Sequence, residues 1–357
     1  MLAATLALVT ACPSAHADDQ SRGSNGSPTL KVMTRNVYLG GDIFGPIGAP
    51  DVAEFERRTQ ALWDEVKKTN FPFRSKLLAA EVERTRPDLI GLQEVALWRR
   101  GPKGVKDGSA TPATRVKYDF LALLRRALRR SGLQYRVGVR QQETDLEAPI
   151  EDGFDVRLTI RDVILVRERH GLRITGRQSA NYASEITIGV PTTPPQSLTT
   201  KRGWTAVDGR VDGQRFRFVN THLEAALDTT RVEQATELLA PGGPVRVRRP
   251  VLLVGDMNSD PEGRGGLGAG AYDLIDGAGF DDAWLQTSNA PGLTCCINSD
   301  LSETTPSFDS RIDLIFTNSR RLRPVRTITV GTRPRDRRRG LWPSDHGGVV
   351  TTVRVGL

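Results

Sequence analysis

Residues 250–262 read PVLLVGDMNSDPE, and the rest of the chain is organised around them. The branched apolar run from Val251 to Val254 makes a buried strand. A polar turn carrying Asp256, Asn258 and Asp260 follows at its carboxyl end. In layered α/β proteins ligands collect at that end of a strand. The turn does not fit an EF-hand loop. Counted from Asp256, the places that need Gly and Glu hold Pro261 and Leu267. Gly263, Gly265 and Gly268 match G-x-G-x-x-G, but a dinucleotide fingerprint follows its strand directly and here a polar turn intervenes. These glycines read instead as a mobile loop, which leaves a strand ending in an acid and an amide.

The chain has 357 residues, enough for one large domain or two ordinary ones. With 38% hydrophobic and 26% charged residues it has the composition of a soluble globular protein, and no apolar run of the mature region is long enough to span a bilayer. The net charge is +8, and 42 Arg stand against eight Lys. Arginine forks match phosphate oxygens, so the excess is consistent with phosphate-bearing partners; GC-rich coding produces the same bias.

The first residues, MLAATLALVTACPSAHADDQ, expect a secretory signal over 1–17, cleaved after Ala15-His16-Ala17, although the usual basic start is missing. Val9-Thr10-Ala11-Cys12 also fits a lipobox, which would anchor the protein through Cys12 on the outer face of the membrane. Both readings place the mature protein outside the cytoplasm. Residues 18–28 read as linker and 29–357 as a single domain. The other cysteines, Cys295 and Cys296, are adjacent and by themselves make a poor metal site; they read as buried or partly oxidised loop residues.

Strands are expected at Leu30–Arg35, Asp88–Gln93, Tyr135–Arg140, Arg161–Arg167, Arg311–Phe316, Val325–Val330 and Gly348–Arg354. A hairpin of Gly203–Val211 and Arg215–Asn220 turns at Asp212-Gly213. Helices are expected at Asp51–Lys68, Arg74–Arg86, Tyr118–Arg130, Leu227–Leu239 and Ala271–Ala278, with loops over 99–115, 191–200, 286–308 and 332–340. No internal repeat and no shift of composition divides the chain. The pattern is one α/β domain with mixed strands.

Five strands end in or open from polar residues of one chemical type: Asn36, Glu94, His222, Asp256 with Asn258, and Asp345 with His346. Asp313 lies in a sixth strand. One such acid is usually a cap; several at corresponding ends of one sheet system must converge. Oxygen donors from Asn36, Glu94 and an Asp suit Mg²⁺, Mn²⁺ or Ca²⁺. Of the four histidines, His16 lies in the leader and His170 in a turn, while His222 and His346 both fall in strand-end motifs. Coupled to Asp313, His346 would be oriented and its pKa raised.

Together TRN at Asn36, LQEV at Glu94, NTHLE at His222, GDMNSD at Asp256 and Asn258, RIDLIF at Asp313 and SDHGG at Asp345-His346 resemble the endonuclease/exonuclease/phosphatase superfamily. Its members include deoxyribonuclease-I-like nucleases, abasic-site endonucleases, inositol-phosphate phosphatases and neutral sphingomyelinases. The resemblance covers nearly all the mature chain. It implies an α/β (α+β) four-layer sandwich of two packed mixed β-sheets flanked by helices. It also implies metal ligation by Glu94, Asn36 and Asp345, and an attacking water oriented by Asp256 and Asn258. His346 held by Asp313 would act as base or phosphate contact, and His222 would stabilise charge or assist the leaving oxygen. The phosphate-holding Tyr or Arg of many members has no clear match; Arg157, Arg161 and Asp162 are the candidates.

The expected function is a secreted, monomeric, Mg²⁺-dependent (or Mn²⁺- or Ca²⁺-dependent) phosphodiesterase that acts on nucleic acid or on a phospholipid head group. Basic segments at 99–106 and 333–339 favour nucleic acid; the apolar loop YLGGDIFGPIGAP favours contact with a membrane surface. The alternative is an inactive phosphate- or lipid-binding module of the same fold.

Overall fold

A computed structural model describes residues 28–104, 112–192 and 195–356. The expected leader, Cys12, most of the linker and the end of the basic segment 99–106 lie outside the described residues. The elements in chain order are β1 (Thr29–Asn36), α1 (Val52–Lys68), α2 (Phe71–Thr85), β2 (Leu89–Gln93), β3 (Leu97–Pro102), β4 (Arg115–Asp119), α3 (Phe120–Arg130), β5 (Tyr135–Pro149), β6 (Phe154–Arg167), β7 (Leu172–Asn181) and β8 (Ile186–Val190). There follow β9 (Gln196–Thr200), β10 (Gly203–Val211), β11 (Gln214–His222), α4 (Asp228–Leu239), β12 (Val251–Asp256), α5 (Gly270–Gly277), β13 (Asp281–Asp282), β14 (Asp313–Thr317), β15 (Leu322–Val330) and β16 (Gly348–Val355).

One sheet runs β15-β16-β1-β2-β6-β3-β4, with β5 also on β6; the second runs β13-β14-β12-β11-β10-β7; β8 and β9 form a ribbon. Strand alternation assigns each side chain to a layer. Leu30, Val32, Leu89, Ile164 and Val166 of the first sheet meet Phe216, Phe218, Leu252, Val254 and Ile315 of the second in the central core. The intervening residues Met33, Ile90, Leu92, Val163 and Leu165 face outward onto Trp63, Phe71, Leu78 and Leu124 of α1, α2 and α3. On the opposite face Val219, Val251, Leu253 and Phe316 pack on Leu238 of α4 and Ile275 of α5. The layers are helix, sheet, sheet, helix, as the resemblance implies. Each large apolar side chain so buried contributes about 1.5–3 kcal/mol.

The helices start where side chains satisfy free backbone donors. Asp51 accepts from the Glu54 amide (2.8 Å) at α1, Asn70 from the Phe73 amide (3.2 Å) at α2, and Asp119 from the Leu121 amide (3.1 Å) at α3. The Asn70 cap starts α2 ahead of the expected Arg74.

Two expected loops contain strands. Residues 99–115 include most of β3 and the start of β4, and residues 191–200 include β9. The strand from Tyr135 runs on to Pro149, and β7 had no counterpart in the sequence reading. These are edge or hairpin strands with weak apolar alternation: β7 reads LRITGRQSAN and is largely exposed or half-buried. Their backbone pairing, rather than a buried face, defines them.

Strand direction places the chemistry. β1 is parallel to β2, and β11 to β12, so Asn36, Glu94, His222 and Asp256 all lie at carboxyl ends. β14 is antiparallel to β12, and β16 to β1, so Asp313 and the residues entering β16 lie at amino ends. All arrive at one edge of the sandwich. In register, His222 pairs with Asp256, and Asp256 with Asp313. The sheets approach closely near this edge. A Cβ on Gly91 would collide with the Asn220 amide and stand 2.7 Å from Val254 Cγ2. Asn220 is held by Gln93 Nε2, which donates to its Oδ1 (2.5 Å), while its own Nδ2 donates to the Leu92 carbonyl (3.3 Å).

Candidate active site

Asp256, at the end of the organising strand, is the hub. Its Oδ2 accepts from Asn36 Nδ2 (3.0 Å), which joins the two sheets, and lies 3.6 Å from His222 Nε2 and 3.8 Å from His346 Nδ1. Its Oδ1 accepts from the Asn258 amide (3.0 Å), and Asn258 Nδ2 donates to the Leu223 carbonyl (2.9 Å). Asn258 and Glu94 hold left-handed backbone angles, φ 47° and 58°. Such conformations cost about 1–3 kcal/mol outside glycine and gather at functional sites. Both residues stand where a strand breaks off sharply to turn its last side chain toward the cavity.

Two buried arginines brace the loops. Arg35 forks Glu81 (2.9 and 3.1 Å) and donates Nη1 to the His346 carbonyl (2.5 Å). Arg74 donates to the carbonyls of Val37 (2.8 Å), Tyr38 (3.1 Å), Thr69 (2.9 Å) and Pro343 (2.9 Å).

The histidines have opposite characters. His346 Nδ1 faces Asp313 Oδ2 at 2.9 Å. Burial opposes its charge, but Asp313, Asp345 and Asp256 outweigh burial and hold its pKa well above the ordinary imidazole value. His222 Nδ1 faces Arg202 Nη1 at 3.0 Å. A guanidinium only donates, so Nδ1 accepts and the His222 proton sits on Nε2, on the side of Asp256. Burial, then Arg202 and His346, hold His222 well below its ordinary value. Burial also pushes the Asp256 carboxyl up to about 7, opposed by His346 and reinforced by Asp313. Asp345 rises to about 6 from burial, opposed by His346 and reinforced by Glu94. The site thus holds a neutral imidazole, a cationic imidazole and a carboxyl poised near neutrality.

Glu94, Arg202, His222, Asp256, Asn258, Asp345 and His346 line one cavity of about 270 Å³, with Tyr38, Phe44 and Cys296 among its other walls. Asn36 lies behind Asp256, its Oδ1 accepting from the Tyr38 amide (2.9 Å). The oxygen donors suit a hard divalent cation. Glu94 Oε2 accepts from the Leu39 amide (2.8 Å) and Asp345 Oδ1 from the Ser344 hydroxyl (3.2 Å), while the second oxygen of each accepts no protein hydrogen bond among the described residues.

Arg157 and Arg161 stand away from this cavity and are engaged elsewhere. Arg157 forks Asp145 across the β5–β6 hairpin (2.8 and 2.7 Å). Arg161 binds the Val95 and Ala96 carbonyls (2.9 and 3.1 Å) and Asp119 (2.7 Å). Neither lines the cavity. Both guanidiniums serve strand pairing and a helix cap, a use no local pattern reveals. Asp162 is buried below the site beside Asn220. Arg202 is the arginine that reaches the cavity, and the sequence reading missed it. The signal was present in the two-residue turn at Asp212-Gly213. It sets a hairpin register that pairs Gly203 with His222 and puts Arg202 next to that pair. The apolar loop after Asn36 packs on its own domain: Ile43, Phe44, Pro46 and Ile47 wall a small cavity with Phe55, Leu62 and Trp98.

A hub carboxylate, two histidines of opposite charge preference and hard oxygen donors, gathered at one edge of a four-layer sandwich, are the equipment of a metal-assisted phosphoester centre. The profile of the Endonuclease/Exonuclease/phosphatase family matches residues 36–346, and the chain belongs to that family. Its members are typically hydrolases of phosphoester bonds that use divalent metals. No curated sequence gives a match. Among solved structures, an endonuclease/exonuclease/phosphatase family protein from Bacteroides thetaiotaomicron is 17% identical, with 93% of this chain and 99% of that one covered and a TM-score of 0.56. One from Beutenbergia cavernae is 20% identical over 92% of this chain and 72% of that one, TM-score 0.56. A mannosyl-6-phosphatase from Bacteroides thetaiotaomicron is 18% identical over 91% and 99%, TM-score 0.53. These likenesses establish the shared fold.

Proposed function

We propose that this protein is a secreted, divalent-metal-dependent phosphodiesterase that hydrolyses its substrate with an activated water. The observation that carries the reading is the position of Asp256, shared by Asn36, His222 and His346 and opening on a cavity it lines with Glu94 and Asp345. Glu94 and Asp345, with Asn36, would hold the cation, which when bound supplies positive charge to the phosphate and leaving oxygens. Asp256, with Asn258 beside it, orients the water and takes its proton; a carboxyl near 7 is suited to that task. His346, kept cationic by Asp313, binds a phosphate oxygen rather than acting as the base. His222 donates from Nε2, and Arg202 holds it in that tautomer. The net charge of +8 and the candidate signal at 1–17 are consistent with a phosphate-rich extracellular substrate.

The test offers plasmid DNA, RNA, sphingomyelin and phosphatidylcholine vesicles, and an inositol polyphosphate to the purified protein with Mg²⁺, Mn²⁺ or Ca²⁺, each against EDTA. Metal-dependent cleavage of one class is expected and assigns the ester. Glu94→Gln should lose both hydrolysis and calorimetric Mg²⁺ binding with an unchanged circular dichroism spectrum. Full activity in that variant would remove Glu94 from the site.

A further inference from the structure

Cys295 and Cys296 sit over the open side of His346. The ring's Nδ1 is taken by Asp313, and its Nε2 lies 3.8 Å from each sulfur. Two sulfurs and one imidazole nitrogen therefore stand within 4.8 Å of one another. The peptide that carries the cysteines is fixed on both sides. Cys295 exchanges backbone hydrogen bonds with Ser310 (both 3.0 Å), the Ile297 amide donates to the Asp345 carbonyl (3.0 Å), and the Gly347 amide donates to the Thr294 carbonyl (2.6 Å). Cys295 is buried, whereas Cys296 is exposed and lines the active-site cavity. The two sulfurs are joined as a disulfide, and a disulfide offers a cation no thiolate.

We propose that, once reduced, Cys295 and Cys296 join His346 Nε2 in a site for a thiophilic d¹⁰ cation of the Zn²⁺ or Cd²⁺ class, and that filling this site silences the centre. Reduction by a dithiol transfers two electrons and two protons to the pair and leaves the reductant as its own disulfide. Binding of the cation then releases both thiol protons and the Nε2 proton of the His346 imidazolium, whose Nδ1–H stays on Asp313. Adjacent cysteines alone are a poor site, but a histidine supplies the third donor and the cavity leaves a fourth position for water. Sulfur and imidazole select such an ion over Mg²⁺ or Ca²⁺, which prefer the oxygens of Glu94 and Asp345. The bound cation takes the Nε2 that would meet the phosphate. The disulfide is then the form that tolerates soft metals and the dithiol the form they poison. The silencing half rests on the hydrolytic reading above; the binding half does not.

The test titrates Cd²⁺ into the full chain in excess Mg²⁺, before and after dithiol reduction and removal of the reductant, with calorimetry and the ultraviolet thiolate-to-cadmium band. The reduced protein should bind one Cd²⁺ with the band. The oxidised protein should show no band beyond that of Cys12, reduced Cys296→Ser less than the two-thiolate increment, and both should bind about 100-fold more weakly. Cys12 is common to all three and cancels, and the exposure of Cys296 makes Ser tolerable there. A pair that resists the dithiol, a reduced protein without the band, or unweakened binding by Cys296→Ser overturns the site. Cd²⁺ should stop metal-dependent hydrolysis by the reduced form alone. Unaffected hydrolysis with the band present overturns the silencing. Absence of hydrolysis in every form, with the band present, overturns the hydrolytic reading and leaves the cation site standing.

Discussion

Arg202→Met separates the electrostatic support of the site from its visible ligands. Arg202 is 7% exposed, donates toward His222 Nδ1 at 3.0 Å and lies 3.4 Å from Glu224 Oε2. Burial holds the nearby carboxyls of Glu143 and Asp162 well above the usual carboxylate range, and Arg202 opposes that rise. Methionine keeps the bulk and removes the charge. Breaking a buried pair by taking one partner away costs about 3–5 kcal/mol, because the Glu224 carboxylate left behind is buried without its cation. In a chain of this size that is a melting-temperature loss of roughly 4–7 °C. The same change frees His222 Nδ1 and removes one of the two charges that depress this imidazole, so its pKa must climb. Denaturant unfolding at neutral pH and the ¹⁵N shifts of the His222 ring read the two effects without reference to activity. A variant within about 1 kcal/mol of wild type, with unchanged ring nitrogens, would refute the claim that Arg202 sets the tautomer of His222.

Asp313→Asn, which weakens the support of His346 at 2.9 Å, should lower turnover by about 10²–10⁴-fold with little change in fold; steady-state kinetics near wild type would exclude the pair from the reaction. Gly91→Ala should cost about 1–3 kcal/mol in denaturant unfolding, because its Cβ meets the fixed Asn220 amide and Val254; an unchanged midpoint would show that the sheets give way there. Asp208 is forked by Arg217 at 2.7 and 2.9 Å. Burial alone would raise its pKa, but Arg217 and Arg249 together hold it below 3.8. Its contribution is present above the unfolded value and lost as pH falls through the folded one, so the advantage of wild type over Asp208→Asn, about 1.5–3 kcal/mol at pH 7, should shrink on acidification below 3.8. A gap that widens in acid would reverse the assignment.

The parts of this protein that were legible are those in which a buried face imposes a period. VLLVGD, DLIGLQ, LKVMTR and the α1 pattern announce their elements because apolar side chains must recur every second or every third to fourth residue to reach a core. The elements that escaped, β3, β4, β7, β8, β9 and much of β5, are marginal and hairpin strands whose definition comes from backbone pairing. The polar ends of the central strands were legible too, since a buried strand seldom stops at Asn, Glu, His or Asp without a task for it.

The amino-acid order by itself determined the set of groups available to the site, Asn36, Glu94, His222, Asp256, Asn258, Asp313, Asp345 and His346, and the layered fold that the motifs imply. Only the tertiary structure decided how those groups act on one another. Strand direction and register brought six segments, spread from residue 36 to 346, around one carboxylate. They set Asp313 against His346 and Arg202 against His222, and so favour the cationic imidazole at one and the neutral imidazole at the other. They also drew Arg157 and Arg161 away into hairpin and cap contacts and left Cys295 and Cys296 over the His346 ring. The reason is range: propensity and alternation act over a few residues, whereas desolvation and charge act through space on whatever the fold makes adjacent.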